Sequence, residues 1–289
     1  MIIVKLQGGL GNQLFQYAAG RSLSIAKKTG LLLDISGFEN TPGHITKRHY
    51  ELDCFDINAE FLPGAELAKY SRFSLAGKLL HRILPNHRKR FYNEPHFYFD
   101  KHFFHASSNA FLVGYWQSEK YFRNIADTIR RDLAFRSETI ERNRQLSDNI
   151  SAVDSVSIHV RRGDYVNDAH TASMHGSCSL EYYHAAVELM HARVANMHLF
   201  VFSDDISWAR ENLKFVYPTT FVADRDAKAI DDLYLMSRCK HQVIANSSFS
   251  WWGAWLNSNS GKNVIAPSRW FGEFKADTKD LYPAGWIKI

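Results

Sequence analysis

Two adjacent arginines, a glycine and an aspartate, Arg161-Arg162-Gly163-Asp164, stand directly after a segment, Val156–Val160, that reads as a short apolar strand. A guanidinium carries a planar fork of donors that matches a phosphate and stays charged at any working pH. A glycine at this point lets the backbone turn sharply or come close to a ligand. Two readings fit: a pyrophosphate clamp, or a basic loop in which Asp164 neutralises Arg162. Two later runs also end in polar groups. Ser203-Asp204-Asp205 offers carboxylates that could accept hydrogen bonds from a purine ring or a ribose hydroxyl, or cap the next helix. Asn246-Ser247-Ser248-Phe249-Ser250 gathers hydroxyls and N–H groups where a helix should start, which suits an anion. A single serine there would equally serve as an N-cap. Near the amino end, Gly8-Gly9-Leu10-Gly11-Asn12-Gln13 joins a glycine turn to two carboxamides. That combination suits an oxyanion or a sugar hydroxyl, or a tight structural turn.

Other chemistries find no support. Gly9-Leu10-Gly11 would need glycine or alanine at position 14 to read a dinucleotide, and Leu14 stands there. The same turn lacks the lysine followed by Ser or Thr that closes a P-loop. Asp224-Arg225-Asp226 has the form of a metal-holding Asp-x-Asp, but a helix follows, so capping explains it more simply. No Cys/His ligand spacing and no Gly-x-Ser-x-Gly elbow occurs.

The elements that must position these groups read as α/β. Ile2–Leu6 suits a buried parallel strand, residues 14–26 follow helical spacing, and Leu31–Ile35 is a second apolar strand. Residues 36–110 have no clear period. Phe111–Tyr115 reads as a returning strand, 119–135 as an amphipathic helix and 136–150 as a linking helix. The second half alternates strands near 156–160, 198–203, 220–222, 242–245 and 263–266 with helices over 180–194, through 213, 227–237 and 251–256. Alternation with short loops means doubly wound parallel sheets. Two domains are expected, 1–150 and 151–289. Ligands bind beyond the carboxyl ends of the strands in such sheets, so the three polar strand ends of the second half must share one edge.

The 289-residue chain is 45% hydrophobic and 22% charged, an ordinary globular composition. Its three cysteines, Cys54, Cys178 and Cys239, are too scattered for a disulfide framework, which fits a reducing compartment. No run is long enough to span a bilayer and no signal-peptide layout opens the chain, so a cytoplasmic location is expected. The net charge of +5 admits nucleic acid, anionic membrane or phosphorylated small molecules as partners. The densest basic patch lies over 81–90, with His81-Arg82 and His87-Arg88-Lys89-Arg90. It is either a solvated loop or a peripheral docking patch for acidic headgroups. An RNA-binding protein and a nicotinamide-dependent oxidoreductase are the rival classes, and neither has a recognisable module here.

Three long motifs carry a family resemblance: Gly8–Tyr17, His159–Tyr165 and Asn246–Ala254, in that order. With the connecting segment His175–Tyr183, the chain resembles glycosyltransferase family 11, the α-1,2-fucosyltransferases, and its bacterial members in particular. The resemblance implies a GT-B fold, two Rossmann-like domains facing across a cleft, with the acceptor on the first and the donor on the second. It implies metal-independent, inverting transfer of L-fucose from GDP-fucose to the 2-hydroxyl of a terminal galactose. The acceptor would be a galactose-terminated oligosaccharide, such as a lipid-carrier-linked O-antigen repeat, with no nucleic acid partner. Another GDP-6-deoxyhexose or GDP-L-galactose would fit the same motifs. Carried onto this chain, Arg161 takes the β-phosphate and Arg162 shares that role or buttresses Asp164. His159 contacts the nucleotide or packs beneath it. Asn12 lies near the phosphate and fucose, and Gln13 contacts the acceptor. Asn246, Ser247, Ser248 and Phe249 bind the diphosphate, and Asp204 binds guanine or ribose. The catalytic base is Asp164 or Asp168.

Overall fold

The computed structural model describes residues 1–38, 48–64, 83–163, 176–223 and 228–289. Asp164, Asp168, the Asp224-Arg225-Asp226 run and His81-Arg82 lie outside the described residues. The chain forms two compact units, Met1–Ala134 with Asp277–Pro283, and Phe135–Ala276 with Ala284–Ile289.

The first unit is built on strands β1 (Ile2–Lys5), β2 (Leu31–Asp34), β3 (Glu60–Phe61), β4 (Phe91–Asn93) and β5 (Phe111–Val113). They form one sheet in the order β3-β2-β1-β5-β4, every pair parallel. Central β1 is buried on both faces, which is why its sequence is apolar without alternation. Helix α1 (Leu10–Ala26) follows β1 and buries Leu14, Phe15, Tyr17, Ala18 and Leu23. The region without sequence periodicity is held by packed rings rather than by long helices. Trp116 is fully buried with Tyr92 at 5.3 Å, Phe103 at 5.2 Å and Tyr121 at 5.4 Å between ring centroids.

The expected helix over 119–135 is a correction. The chain makes 3-10 turns at Glu119–Tyr121 and Arg123–Ile125 before helix α2 (Ala126–Asp132). Phe122, at φ −140°, breaks the helical path between the turns. That break lets Tyr121, Phe122, Ile129 and Leu133 all be buried without one straight axis.

In the second unit, helices α3 (Ser137–Arg142) and α4 (Arg144–Ser151) precede strand β6 (Asp154–Val160). Then come α5 (Leu180–His191), β7 (Met197–Ser203), α6 (Ile206–Asn212), β8 (Thr219–Phe221), α7 (Ala229–Arg238) and β9 (His241–Val243). Helix α8 (Ser248–Leu256) and strands β10 (Val264–Ala266) and β11 (Ile287–Lys288) complete it. The sheet order is β11-β10-β9-β6-β7-β8, again all parallel. Val156, Ile158 and Val160 of β6 share a core with Tyr183, Ala186, Val187 and Met190 of α5. The intervening Ser157 and His159 take the opposite face, as strand alternation requires.

The units divide at 134/135, earlier than the expected position near 150. The reason is a buried polar knot rather than a linker. Asp231 of α7, 1% exposed, accepts hydrogen bonds from Arg142 Nη2 at 2.7 Å and Asn143 Nδ2 at 2.6 Å, and Ser147 Oγ meets Tyr234 Oη at 3.2 Å. These bonds pin α3 and α4 to the second unit. No helix among the described residues is long and apolar enough to cross a membrane.

Candidate active site

Strand β6 lies between β7 and β9, with Val160 opposite Ser203 and Ile158 opposite Val243. Three polar segments therefore leave the sheet side by side: 161–163, 203–205 and 246–249. Asp204 organises the first. Its Oδ1 accepts the Arg162 N–H at 2.9 Å and its Oδ2 the Gly163 N–H at 2.9 Å. The same Oδ2 pairs with Arg161 Nη1 at 2.9 Å. A Cβ at position 163 would stand 2.7 Å from Asp204 Oδ2, so only glycine lets the loop close onto the carboxylate. With both oxygens committed, Asp204 is a clamp on the arginine loop. This structural role stands beside the expected contact with guanine or ribose. Helix capping falls to its neighbour: Asp205 Oδ1 accepts the Trp208 N–H at 3.1 Å.

The two arginines diverge. Arg161 stays with Asp204, both side chains about a quarter exposed. Arg162 lays its guanidinium 3.6 Å from the Trp208 ring centre, with Nε 3.7 Å from Asp205 Oδ2, an ion pair too long for a hydrogen bond. Arg161 is thus the arginine presented at the sheet edge, and Arg162 braces the loop against α6.

His159 sits beneath them, 5% exposed, its ring 5.6 Å from that of Phe249. Burial pushes its pKa down to about 4, Arg161 adds to the fall and Asp204 opposes it. The imidazole is neutral at neutral pH, which leaves one nitrogen an acceptor and the other a donor. Its carbonyl accepts Tyr183 Oη at 3.2 Å, so α5 fixes the strand end from the other face.

In the third segment the side chains separate. Asn246 does structural work: its Nδ2 donates to Gly176 O at 2.9 Å and Trp270 O at 3.1 Å, and its Oδ1 accepts Cys178 Sγ at 3.4 Å. Its amide ties the loop at 176–178 and the chain at 270 to the segment after β9, a structural role that the sequence did not show. Ser250 Oγ is turned inward to Ala245 O and Ser247 O, each at 3.2 Å. Ser247 occupies the N-cap of α8 without a capping side-chain bond. The hydroxyls of Ser247 and Ser248 and the first N–H groups of α8 therefore remain for an anion. α8 is anchored by Trp251 and Trp252, both fully buried, and Trp255.

In the first unit the two carboxamides of the glycine turn part company. Gln13 is fully buried; its Nε2 donates to Gly8 O at 2.9 Å and His49 O at 2.7 Å, and its Oε1 accepts the Glu51 N–H at 2.9 Å. It bolts the turn together and cannot reach an acceptor, which corrects that assignment. Asn12 is half-buried, and its Oδ1 accepts Gln117 Nε2 at 2.8 Å. Gly8 has φ +77°, and a Cβ there would lie 2.4 Å from Asn12 Nδ2. Glu51 and Arg48 both stand beside the glycine turn, 3.7 and 3.8 Å from where a Cβ on Gly9 would lie.

Sequence reasoning missed Gln117, Glu94, Trp208 and Tyr183. Each acts through a partner distant in sequence, and only the Trp116-Gln117 pair after a strand gave any signal. Among the described residues no group of three His, Cys, Asp or Glu side chains is placed to hold a metal ion.

The profile of glycosyl transferase family 11 matches residues 1–289, the whole chain. The chain belongs to glycosyl transferase family 11. This family-11 chain is 33% identical to the alpha-1,2-colitosyltransferase of Escherichia coli, over 100% of its own length and 99% of that protein's. It is 32% identical to the O-antigen biosynthesis glycosyltransferase WbnK of Escherichia coli, over 92% and 93% of the two chains. Among solved structures it is similar to NodZ alpha-1,6-fucosyltransferase soaked with GDP-fucose, at 16% identity and TM-score 0.50, covering 88% and 91% of the two chains. That likeness concerns the fold, which is of GT-B type, as the sequence motifs implied. The family-11 chain is a glycosyltransferase.

Proposed function

We propose that this glycosyltransferase moves L-fucose from GDP-β-L-fucose to the 2-hydroxyl of a terminal galactose, inverting the anomeric carbon, without a metal ion. The observation that carries the reading is the Asp204 clamp, which holds Arg161 at the sheet edge between β7 and the open amino end of α8. In an inverting displacement the sugar carbon gains oxocarbenium character while negative charge grows on the departing GDP. Donors already fixed where that charge develops stabilise the transition state more than the ground state. Arg161, the Ser247 and Ser248 hydroxyls and the α8 N–H groups are assigned to the diphosphate. Phe249 and neutral His159 form the floor beneath it, and a neutral ring there leaves the anion's partner charge with Arg161. Asn12, at the corresponding edge of the first unit's sheet, is assigned a hydrogen bond to the sugar. Asp164 of the motif, or the nearby Asp168, is the carboxylate assigned to take the acceptor proton. The acceptor is assigned to surface-glycan synthesis of the O-antigen type, at the cytoplasmic side of a membrane.

A second donor has a specific observation in its favour. The 33%-identical relative is named a colitosyltransferase, and colitose is fucose without its 3-hydroxyl. The test is GDP release in EDTA from GDP-fucose and from GDP-colitose, each with and without lactose. Acceptor-dependent release from GDP-fucose supports the reading, and release from GDP-colitose alone moves the donor to colitose. If GDP binds but neither sugar is released, the phosphate site stands and the donor assignment fails. Equal release with and without EDTA is the expected metal result.

A further inference from the structure

The first unit carries a second constructed cluster at the carboxyl edge of its sheet, where β1, β5 and β4 lie side by side. Glu94 follows β4, and its carboxylate reaches across to the chain leaving β5. Oε2 accepts the Tyr115 N–H at 2.7 Å and Oε1 the Trp116 N–H at 3.0 Å. Gly114 makes this contact possible, since a Cβ there would stand 2.4 Å from Glu94 Cβ and 2.8 Å from Oε2. The next residue is strained. Trp116 has φ +57°, a left-handed conformation that costs an L-residue with a bulky side chain roughly 1–2 kcal/mol. Such a backbone persists only where its surroundings over-determine it. Here the two Glu94 bonds hold its N–H side, and the rings of Tyr92, Phe103 and Tyr121 hold its side chain.

What this strained turn achieves is the placement of Gln117. That side chain, 7% exposed, sends Nε2 2.8 Å to Asn12 Oδ1. No described residue bonds its Oε1, so the Asn12 bond is the one hydrogen bond that holds this amide among the described residues. Asn12 is caught between this donor and Gly8, over which its Nδ2 lies. With one lone pair of its oxygen taken by Gln117, that carboxamide turns its N–H hydrogens the other way. Turning it over would set two NH₂ groups against each other.

We propose that Glu94, Trp116 and Gln117 form a positioning strap that fixes Asn12 as a hydrogen-bond donor for the sugar-transfer step. The proposal rests on the reading above that Asn12 touches the substrate. Gln117 is a positioning residue, acting on the reaction through Asn12. Burial also pushes the Glu94 carboxyl up to about 7 against the pull of its two N–H partners, as expected of a group held for the strap rather than for solvation.

The test is steady-state kinetics with GDP-fucose and lactose on four variants: Asn12→Ala, Gln117→Ala, Gln117→Glu and the Asn12→Ala/Gln117→Ala pair. GDP affinity is read separately by calorimetry. Gln117→Ala is expected to lower kcat about tenfold, the loss of about one net hydrogen bond, and to leave GDP affinity within about twofold. In the Asn12→Ala background the same change is expected to cost nothing further, because its only route of action is gone. Gln117→Glu separates positioning from mere support. The carboxylate has the same shape but accepts, so it would bind Asn12 Nδ2 and turn the oxygen outward. It is expected to be at least as slow as Gln117→Ala. Full activity in Gln117→Glu, or an undiminished Gln117→Ala effect in the Asn12→Ala background, would overturn the proposal while leaving the reading of Asn12 intact. Full activity in Asn12→Ala would remove Asn12 from the reaction and overturn both.

Discussion

Asp204→Asn separates a clamp from a base-reading residue. One carboxylate serves three donors: the Arg162 and Gly163 N–H groups and Arg161 Nη1, each at 2.9 Å. An asparagine has one acceptor oxygen. Its better orientation sets that oxygen towards Gly163 and Arg161, which share Oδ2, and leaves the Arg162 N–H facing an NH₂ group. A hydrogen bond to a charged acceptor contributes roughly 1.5–3 kcal/mol net. The side chain is 23% exposed, so water recovers part of it. The expected cost is about 1–2 kcal/mol of stability, with GDP affinity weakened about tenfold as the arginine loop loosens. The assay is calorimetric titration with GDP and with inosine diphosphate, which lacks the guanine 2-amino group. A clamp weakens both nucleotides by the same factor. If Asp204→Asn instead erased the preference for GDP over inosine diphosphate, the carboxylate reads the base and the clamp argument is wrong.

Three further outcomes follow from the same geometry. Gly8→Ala should cost about 1–3 kcal/mol in urea unfolding, from a left-handed φ and a Cβ driven into Asn12; an unchanged midpoint would contradict it. His159 titrates near 4 in the native chain and near 6.5 when unfolded, so the stability it contributes is present above pH 6.5 and lost as pH falls towards 4. His159→Gln should flatten the pH dependence of stability in that window, and an unaltered slope would refute the burial. Glu94 has the opposite sign: its native pKa of about 7 lies above the ordinary 4.5, so its contribution is full below pH 4.5 and lost as pH rises through 7. Glu94→Gln should remove that fall, measured by unfolding at pH 5 and pH 8.

The parallel strands were legible in two ways: Ile2–Val4 is an unbroken apolar run, as a strand covered on both faces requires, and Val156, Ile158 and Val160 alternate with Ser157 and His159. The site was legible to the same degree, since polar residues after such strands share one edge by topology. What failed was the choice between neighbours. Asn12 and Gln13 are adjacent carboxamides, but one residue step turns about 100° around a helix, which buries Gln13 and presents Asn12. Asp204 and Asp205 divide in the same way between clamping a loop and capping a helix. The structural role of Asn246 was not legible because its partners, Gly176 and Trp270, are remote in sequence. The 119–135 segment carried the buried positions of one helix, but two 3-10 turns followed by α2 bury the same residues.

In the proposed function the edge of the second sheet binds a nucleotide diphosphate through Arg161. Titrating GDP into the wild-type chain and Arg161→Ala tests it most directly. The account predicts binding by the wild type and a loss of roughly 10–100-fold in the variant, the worth of a charge-assisted pair with a phosphate oxygen. Equal affinity in the two proteins would contradict it.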